Sequence, residues 1–156
     1  MKVVDQFDIA ILRHLQRDNK MPQRLIAEAV RLSPPAVQRR IRKLEQDGVI
    51  EANVAVIKPS AIGQGMTVLV EVSLLNEGPE MLASARRAFV AAEEVQQCYY
   101  VTGETDFMLI VTVAGMAHYE ALTQRLFLTN PNVKRFRTLI VMDRVKVGLS
   151  VPLPEG

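Results

Sequence analysis

Residues 32–48 of the chain have the sequence LSPPAVQRRIRKLEQDG, and this stretch decides the organisation of the N-terminal third. Ser33 is a good helix N-cap, and Pro34 suits the first helical position because a residue there has no N–H partner within the helix. Gly48 suits the position that ends a helix. The stretch therefore predicts a helix from about Pro34 to Asp47.

This helix has an apolar face and a basic face when residues are placed at 100° intervals. Val37, Ile41 and Leu44 share the apolar face. Arg40 falls near its edge, where a structural role or a contact with a flanking phosphate fits. The opposite face comprises Pro35, Arg39, Arg42, Lys43 and Gln46, with Gln38 at one edge. A basic helix face is in general a solvated surface, so the neighbouring segments must decide its role.

Two shorter helices are predicted upstream. Asp5 caps the first, with Asp8 three residues later, and the cluster at residues 18–20 ends it. Pro22 begins the second helix, which stops by Leu32. Two short helices, a tight turn and a third helix with a basic outer face are typical of a helix-turn-helix unit, which inserts its last helix into the DNA major groove.

The residues of the third helix have the chemistry that such an insertion requires. Guanidinium groups pair with phosphate oxygens and bond bidentately to O6 and N7 of guanine. We therefore expect double-stranded DNA as a partner. The expected contacts are Ser33, Pro35, Gln38, Arg39, Arg40, Arg42 and Lys43.

The remainder of the chain alternates strands and helices. Residues 49–57 are rich in β-branched residues and predict a strand, and residues 59–65 are punctuated by proline and glycine, as in a hinge. From residue 66 the pattern is strand, helix, strand, strand, helix, strand, which is a ferredoxin-like βαββαβ arrangement. The fold class is thus α+β. The predicted domains are a winged-type helix-turn-helix over 1–58, a hinge over 59–65 and the ferredoxin-like domain over 66–156.

One face of a ferredoxin-like sheet carries both helices, and the other face needs cover. The strands alternate apolar residues, so a second copy of the chain can supply that cover. We expect a homodimer through this domain.

The charge follows the same division. The chain has 156 residues and a net charge of +2. Residues 1–58 contain 11 Lys/Arg and 7 Asp/Glu, whereas residues 59–156 contain 8 and 10, which gives +4 and −2. A basic module joined to a mildly acidic one agrees with DNA binding by the first.

Several other classes of protein are disfavoured. No apolar run approaches the roughly 18–20 residues of a membrane span. The first five residues lack a signal peptide's apolar core, and Cys98 is the single cysteine, so we expect a cytoplasmic protein. His14 and His118 fall on separate predicted helices without zinc-site spacing, and no phosphate-binding glycine loop occurs. We expect no metal, no cofactor and no catalytic site.

Three separated segments resemble the Lrp/AsnC (leucine-responsive/asparagine regulator) family of bacterial and archaeal transcription factors. They are residues 32–50, the hairpin segment 95–107 with its Thr-Gly-x-x-Asp pattern, and residues 131–141. The resemblance implies a DNA-binding domain and a sensor domain, with dimers that often assemble into octamers. It also implies a small effector, usually an amino acid, bound in clefts between dimers near the hairpin. The implied effector site comprises Thr102, Gly103, Thr105 and Asp106, with Thr138 from a neighbouring chain.

The hairpin residues permit two interpretations. Exposed N–H groups beside Gly103 can bind a ligand carboxylate while Asp106 accepts from its ammonium group. Alternatively, Gly103 serves the turn and Asp106 caps it. Three positions depart from the family pattern. Arg31 stands where a small residue is common, and Thr105 and Asn53 stand where aromatic residues are frequent. The departure at Thr105 bears on ligand choice and on whether any ligand binds.

Three functions remain open from the sequence. The first is a transcriptional regulator whose DNA binding responds to an effector. The second is an enzyme similar to haem-biosynthesis decarboxylases, which share this architecture, although the separated histidines and the basic helix count against it. The third is an architectural DNA-binding protein without an effector.

Overall fold

The computed structural model describes residues 4–154. The expectation about a leader peptide falls partly on residues 1–3, which lie outside this range. The chain divides into two compact units. One contains the chain up to Val56 and the tail from Lys146, and the other is Ile57–Val145. No helix in the described range is long and apolar enough to cross a membrane.

The first unit contains three helices, namely α1 (Gln6–Leu15), α2 (Gln23–Val30) and α3 (Pro34–Gln46). Asp5 caps α1 as predicted: its side chain accepts from the Asp8 N–H at 2.9 Å, and the Asp8 carboxylate accepts from the Asp5 N–H at 3.2 Å. Pro22 was expected to be the first residue of α2, but it is the N-cap, because its ψ of 131° is extended.

The turn between α2 and α3 depends on an unusual backbone conformation. Arg31 has φ 56°, the left-handed region that glycine adopts most readily. This explains why a small residue is common at this position. Ser33 then caps α3 by accepting from the Ala36 N–H at 3.4 Å. Ile11, Ile26 and Val37 are fully buried, one from each helix, and so hold the three helices together.

The strand predicted for residues 49–57 is wrong. The segment after α3 has no regular secondary structure from residue 51 to residue 58. Val54, Val56 and Ile57 are exposed, Val56 by 94%. A strand is stabilised by hydrogen bonds to a neighbouring strand, and no strand in the described part of the chain pairs with this segment. A β-rich composition alone does not supply that neighbour.

The C-terminal tail packs against α1 within the first unit. The Gln16 side chain donates to the Val151 carbonyl at 3.0 Å and accepts from the Val151 N–H at 2.7 Å. The Arg13 guanidinium donates to the Pro154 carbonyl at 3.0 Å. These bonds involve the tail's backbone, so its amino-acid sequence contributes little to them.

The second unit confirms the α+β, ferredoxin-like prediction. It begins with a 3-10 turn, Pro59–Ile62, inside the predicted hinge. A single π-helical segment, Gln124–Leu128, extends the second helix. The main elements are β1 (Met66–Leu74), α4 (Pro79–Ala91), β2 (Val95–Tyr100), β3 (Phe107–Val113), α5 (Met116–Thr123) and β4 (Val133–Ile140).

The four strands form one antiparallel sheet in the order β2-β3-β1-β4. Side chains alternate between its two faces. Val68, Val70 and Val72 of β1 point to the helices and are fully buried, and Phe89 of α4 packs on Phe107 of β3 at 5.3 Å. The opposite face carries half-buried Leu69, Met108 and Ile110, together with the polar side chains Glu71, Ser73, Arg135 and Arg137.

Candidate functional site

The outer face of α3 is exposed, as the helical spacing predicts. Val37 and Leu44 are buried and Ile41 is half-buried, so the apolar face points into the unit. Six of the seven residues predicted to contact DNA are exposed. They are Ser33, Pro35, Gln38, Arg39, Arg42 and Lys43.

The three exposed cations of this face are available to an external anion. Arg39, Arg42 and Lys43 make no ion pair with any residue between 4 and 154. A phosphate can therefore bind them without displacing an internal carboxylate, and each such contact releases counterions from DNA. The face can position a duplex and read base edges.

Arg40, the seventh residue, is engaged inside the unit. Its Nη1 lies 2.7 Å from Asp5 Oδ2 and 2.8 Å from Asp8 Oδ1, and its side chain is 27% exposed. Of the two roles that the sequence leaves open for Arg40, these bonds favour the structural one.

The hairpin between β2 and β3 is fastened to β1. The Thr105 hydroxyl donates to the Val72 carbonyl at 2.8 Å, and the Asp106 N–H donates to the same carbonyl at 3.0 Å. The Asp106 carboxylate accepts from the Leu74 N–H at 2.7 Å. In this chain Asp106 therefore caps the end of the β1 ladder.

The tip of the hairpin is exposed at Thr102 and Gly103. Gly103 has φ +129°, which side chains rarely adopt, and a Cβ there would meet no atom within 4 Å. The glycine is thus required by the turn's backbone and leaves open space beside it. Of the two interpretations of the hairpin, the turn-and-cap one describes the bonds within this chain.

Thr138 lies away from the hairpin residues of its own chain. Its hydroxyl is 2.6 Å from the Tyr119 hydroxyl, on the face of β4 that the helices cover. Burial raises the pKa of Tyr119, and the bond to Thr138 opposes that shift. The role expected for Thr138, a contact from a neighbouring chain, stays a prediction.

A cleft of about 240 Å³ lies beside the hairpin on the face of the sheet that the helices leave open. Of the predicted effector residues, only Thr105 lines it. The complete lining is Glu71, Ser73, Glu104, Thr105, Arg135 and Arg137. The cleft is smaller than the sites that hold drug-sized ligands, which start at about 300 Å³.

Both signs of charge meet in this cleft, and their formal sum is zero. Arg137 Nη2 pairs with Glu71 Oε1 at 2.6 Å. Arg135 donates to the Glu104 carbonyl and to the Ser73 hydroxyl at 3.4 Å each. Sequence reasoning missed these arginines. The available signal was their spacing, because Arg135 and Arg137 are two residues apart on one strand and so share a face.

Other candidate groups are occupied by structural contacts. His118 Nε2 lies 3.2 Å from Glu94 Oε1, and its Nδ1 lies 3.4 Å from the Ala114 N–H. Burial disfavours the charged form of Glu94, but the bonds from Arg125, from the backbone N–H of Glu94 and from His118 together outweigh burial and lower the pKa of Glu94. Burial raises the pKa of Cys98, which makes its thiolate scarce.

His14 of α1 is half-buried. In the described part of the chain, no three His, Cys, Asp or Glu side chains are grouped as metal ligands.

Comparison with known proteins matches both units. Residues 67–151 match the family described as the Lrp/AsnC ligand binding domain, and residues 4–51 match the winged helix-turn-helix DNA-binding family. The leucine-responsive regulatory protein of Haemophilus influenzae is 36% identical over 145 residues, covering 93% of this chain and 87% of its own.

Two solved structures share the whole architecture. A feast or famine regulatory protein from M. tuberculosis, complexed with L-methionine, has a TM-score of 0.87 and 32% identity, covering 97% of this chain and all of its own. A transcriptional regulator from Neisseria meningitidis in complex with L-methionine has a TM-score of 0.88 and 25% identity, covering 96% and 97%. The chain belongs to the Lrp/AsnC family and is a DNA-binding transcriptional regulator of that type.

Proposed function

We propose that this regulator binds DNA through the exposed face of α3 and changes its DNA binding when an amino acid occupies the hairpin cleft. The observation that carries the proposal is the cleft's mixed lining, in which Arg135 and Arg137 lie beside Glu71 and the Glu104 carbonyl. A zwitterion matches it, because arginine binds a carboxylate bidentately and carboxylate or carbonyl oxygens accept from an ammonium group.

Two relatives support the amino-acid class. The regulators from Neisseria meningitidis and M. tuberculosis were each solved with L-methionine. The cleft is of amino-acid size, at about 240 Å³. We therefore propose an amino-acid effector, bound in clefts between dimers with Thr102, Gly103, Thr105 and Asp106 at the hairpin and Thr138 contributed by a neighbouring chain.

The proposed assembly is a homodimer that associates further into an octamer. The half-buried apolar residues on the open face of the sheet support the dimer. Two α3 helices related by two-fold symmetry read half-sites one or more helical turns apart, so the operator is expected to be roughly palindromic. We propose a cytoplasmic location and domain limits along the sequence of 1–58, 59–65 and 66–156, with the tail from Lys146 packed in the first unit. An effector acts by binding one assembly or geometry more tightly than another.

A thermal-shift screen tests the effector class. Each of the twenty amino acids is added to the full chain, to Arg135→Gln and to Lys134→Gln. Lys134→Gln is the matched control, because it removes the same charge from the same strand outside the cleft lining. An effector at about 100 times its Kd adds roughly 2.7 kcal/mol of stability. We expect this gain in the native chain and the control, and its loss in Arg135→Gln.

The screen also separates the alternative functions. A chain that no amino acid stabilises, with or without DNA, is an architectural DNA-binding protein. Stabilisation that is equal in Arg135→Gln and the native chain places the effector elsewhere. An optical titration with haem tests the enzyme alternative, since a bound haem shifts its absorption band and an unbound one does not.

A further inference from the structure

Arg40 lies in the middle of α3, yet its side chain contacts the start of α1. Arg39 and Arg42 on either side of it are exposed, whereas Arg40 is 27% exposed at its side chain. Its guanidinium carbon lies 5.4 Å from the centre of the Phe7 ring, within cation–π distance. The Nη1 atom reaches the carboxylates of both Asp5 and Asp8.

The two carboxylates are themselves fixed. Asp5 uses Oδ1 for the Asp8 N–H and Oδ2 for Arg40. Asp8 uses Oδ2 for the Asp5 N–H and Oδ1 for Arg40. Each acceptor therefore belongs to the capping box of α1, whose geometry is set by the backbone. Arg40 bonds to a rigid point on a second helix.

The apolar contacts between the helices constrain α3 less tightly. Val37 and Ile41 pack in the same core as Ile11, but hydrophobic burial is non-directional. Such contacts specify the rotation of a helix less sharply than directional bonds do. Charge-assisted hydrogen bonds, in contrast, require specific distances and angles.

We propose that Arg40, together with Asp5 and Asp8, is a positioning residue for DNA recognition and does not contact DNA itself. The three side chains, hereafter the Arg40 clamp, fix the rotation of α3 so that Arg39 and Arg42 project from the exposed face. This inference rests on the proposed DNA face of α3. The Arg40 clamp determines which base edges the exposed face of α3 contacts, and the other basic side chains of that face supply the electrostatic attraction to DNA.

The clamp has a consequence that distinguishes it from a phosphate contact. Non-specific binding depends on the number of phosphates neutralised, whereas sequence-specific binding also requires aligned side chains. Loosening the clamp therefore weakens binding to a preferred sequence and leaves binding to a random one unchanged. Removing a phosphate contact weakens both specific and non-specific binding and lowers the salt dependence of DNA affinity.

The test uses the full chain and two duplexes. The first is the sequence that the native chain selects from a random library, and the second is a shuffled duplex of the same composition. Affinities are measured by fluorescence anisotropy over a range of salt concentrations, for Arg40→Gln, Asp8→Asn and the double variant. Arg40→Lys tests rescue, because in the native chain the single Nη1 atom of Arg40 bonds both carboxylates and lysine also offers one charged nitrogen. Arg39→Gln is the matched control from the exposed face.

We expect Arg40→Gln and Asp8→Asn each to weaken binding to the selected duplex about tenfold, which is the scale of one lost base contact. The double variant is expected to bind the selected duplex as well as either single variant, because each single substitution already disrupts the Arg40 clamp. Binding to the shuffled duplex and the salt slope stay unchanged, and Arg40→Lys restores most of the affinity. Each variant is assayed below its melting temperature, as followed by circular dichroism.

Two results overturn the proposal. If Arg40→Gln weakens both duplexes and reduces the salt slope by about 1, while Asp8→Asn does not weaken binding, Arg40 is a phosphate contact. If both variants bind the selected duplex normally while Arg39→Gln does not, the clamp affects stability alone. A normal Arg39→Gln counts against the proposed DNA face, which is a separate failure from that of the clamp.

Discussion

On α3, Arg39 and Arg42 have no ion-pair partner among residues 4–154, whereas in the hairpin cleft Arg137 pairs with Glu71 at 2.6 Å. The first arrangement leaves positive charge at the surface. The second cancels it, since the cleft lining carries two arginines and two glutamates. The proposed partners therefore differ, although the residue types are similar. Unpaired cations suit a polyanion such as DNA, and a neutral, internally paired set suits a small ligand that carries both charges.

Arg40 stands between these two cases. It lies on α3, the helix proposed to bind DNA, but it is paired with carboxylates as Arg137 of the cleft is. The comparison indicates that the number of basic residues in a stretch does not equal the number that are available to bind DNA. The carboxylates opposite each cation decide whether it is available.

The largest expected effect is on DNA binding by the unpaired cations. Arg39→Ala or Arg42→Ala is expected to cost roughly 1–3 kcal/mol of binding to the preferred duplex if the side chain reads a base. Anisotropy titrations at one fixed salt concentration measure the loss. Lys134→Ala in the second unit serves as the control. Normal binding by both α3 variants would remove the contact assignment.

The next effect concerns the paired groups at the hairpin. Asp106→Ala leaves the Leu74 N–H without its acceptor, which is expected to cost about 1–3 kcal/mol of stability. Asp106→Asn keeps an acceptor oxygen and removes the charge. Its stability should stay near that of the native chain, while its amino-acid response is lost. Chemical denaturation and the thermal-shift screen report the two effects separately.

An unchanged amino-acid response in Asp106→Asn would show that the Asp106 charge does not recognise the effector. The carboxylate would then be a structural cap alone, and the cleft arginines would remain the candidates for binding.

A smaller effect is expected at the turn before α3. Arg31 has φ 56°, so Arg31→Gly relieves strain in the native turn but frees the unfolded chain. We expect a net gain of about 0.5–1 kcal/mol in the first unit's stability, measured by thermal melting. Arg31→Ala removes the same side chain and keeps the strain, so it separates the effect of losing the side chain from the effect on the backbone. A loss of stability in the glycine variant would contradict the prediction.

The smallest effect is the pH dependence of the Arg40 clamp. The Asp8 N–H holds the pKa of Asp5 below its ordinary value of 3.8, and Arg40 lowers it further against the opposing effect of burial. The unfolded chain therefore takes up a proton first as the pH falls. The stability that the Asp5 carboxylate contributes, through its capping bond first and its pair with Arg40 second, is present above about pH 4 and is lost as the pH falls through the folded pKa.

Thermal melting of the native chain and of Asp5→Asn between pH 6 and pH 3 measures this contribution. Asp5→Asn is expected to be less stable than the native chain at pH 6 and to lose less stability than the native chain on acidification. Parallel curves for the two proteins would mean that Asp5 contributes nothing to the acid sensitivity.

Much of the fold follows from local patterns in the sequence. Asp5 and Ser33 cap the helices they were expected to cap, and Gly48 has φ +70° where a glycine stop was predicted. The βαββαβ order and the exposed face of α3 also follow, because helix capping and side-chain periodicity depend on residues close in the chain.

Long-range pairing decided what the sequence left open. Residues 49–57 are β-rich but have no partner strand, so no strand forms. The hairpin cleft joins side chains from β1, the hairpin and β4, whose proximity comes from the strand order β2-β3-β1-β4.

The sequence by itself determined two units, their element order and the basic face of α3, since each depends on neighbours within a few turns. Only the tertiary structure decided that Arg40 is paired with Asp5 and Asp8, and that Asp106 caps β1. Those contacts join residues about 32 to 35 positions apart. No local pattern specifies them, because the packing of whole helices and strands brings their atoms together.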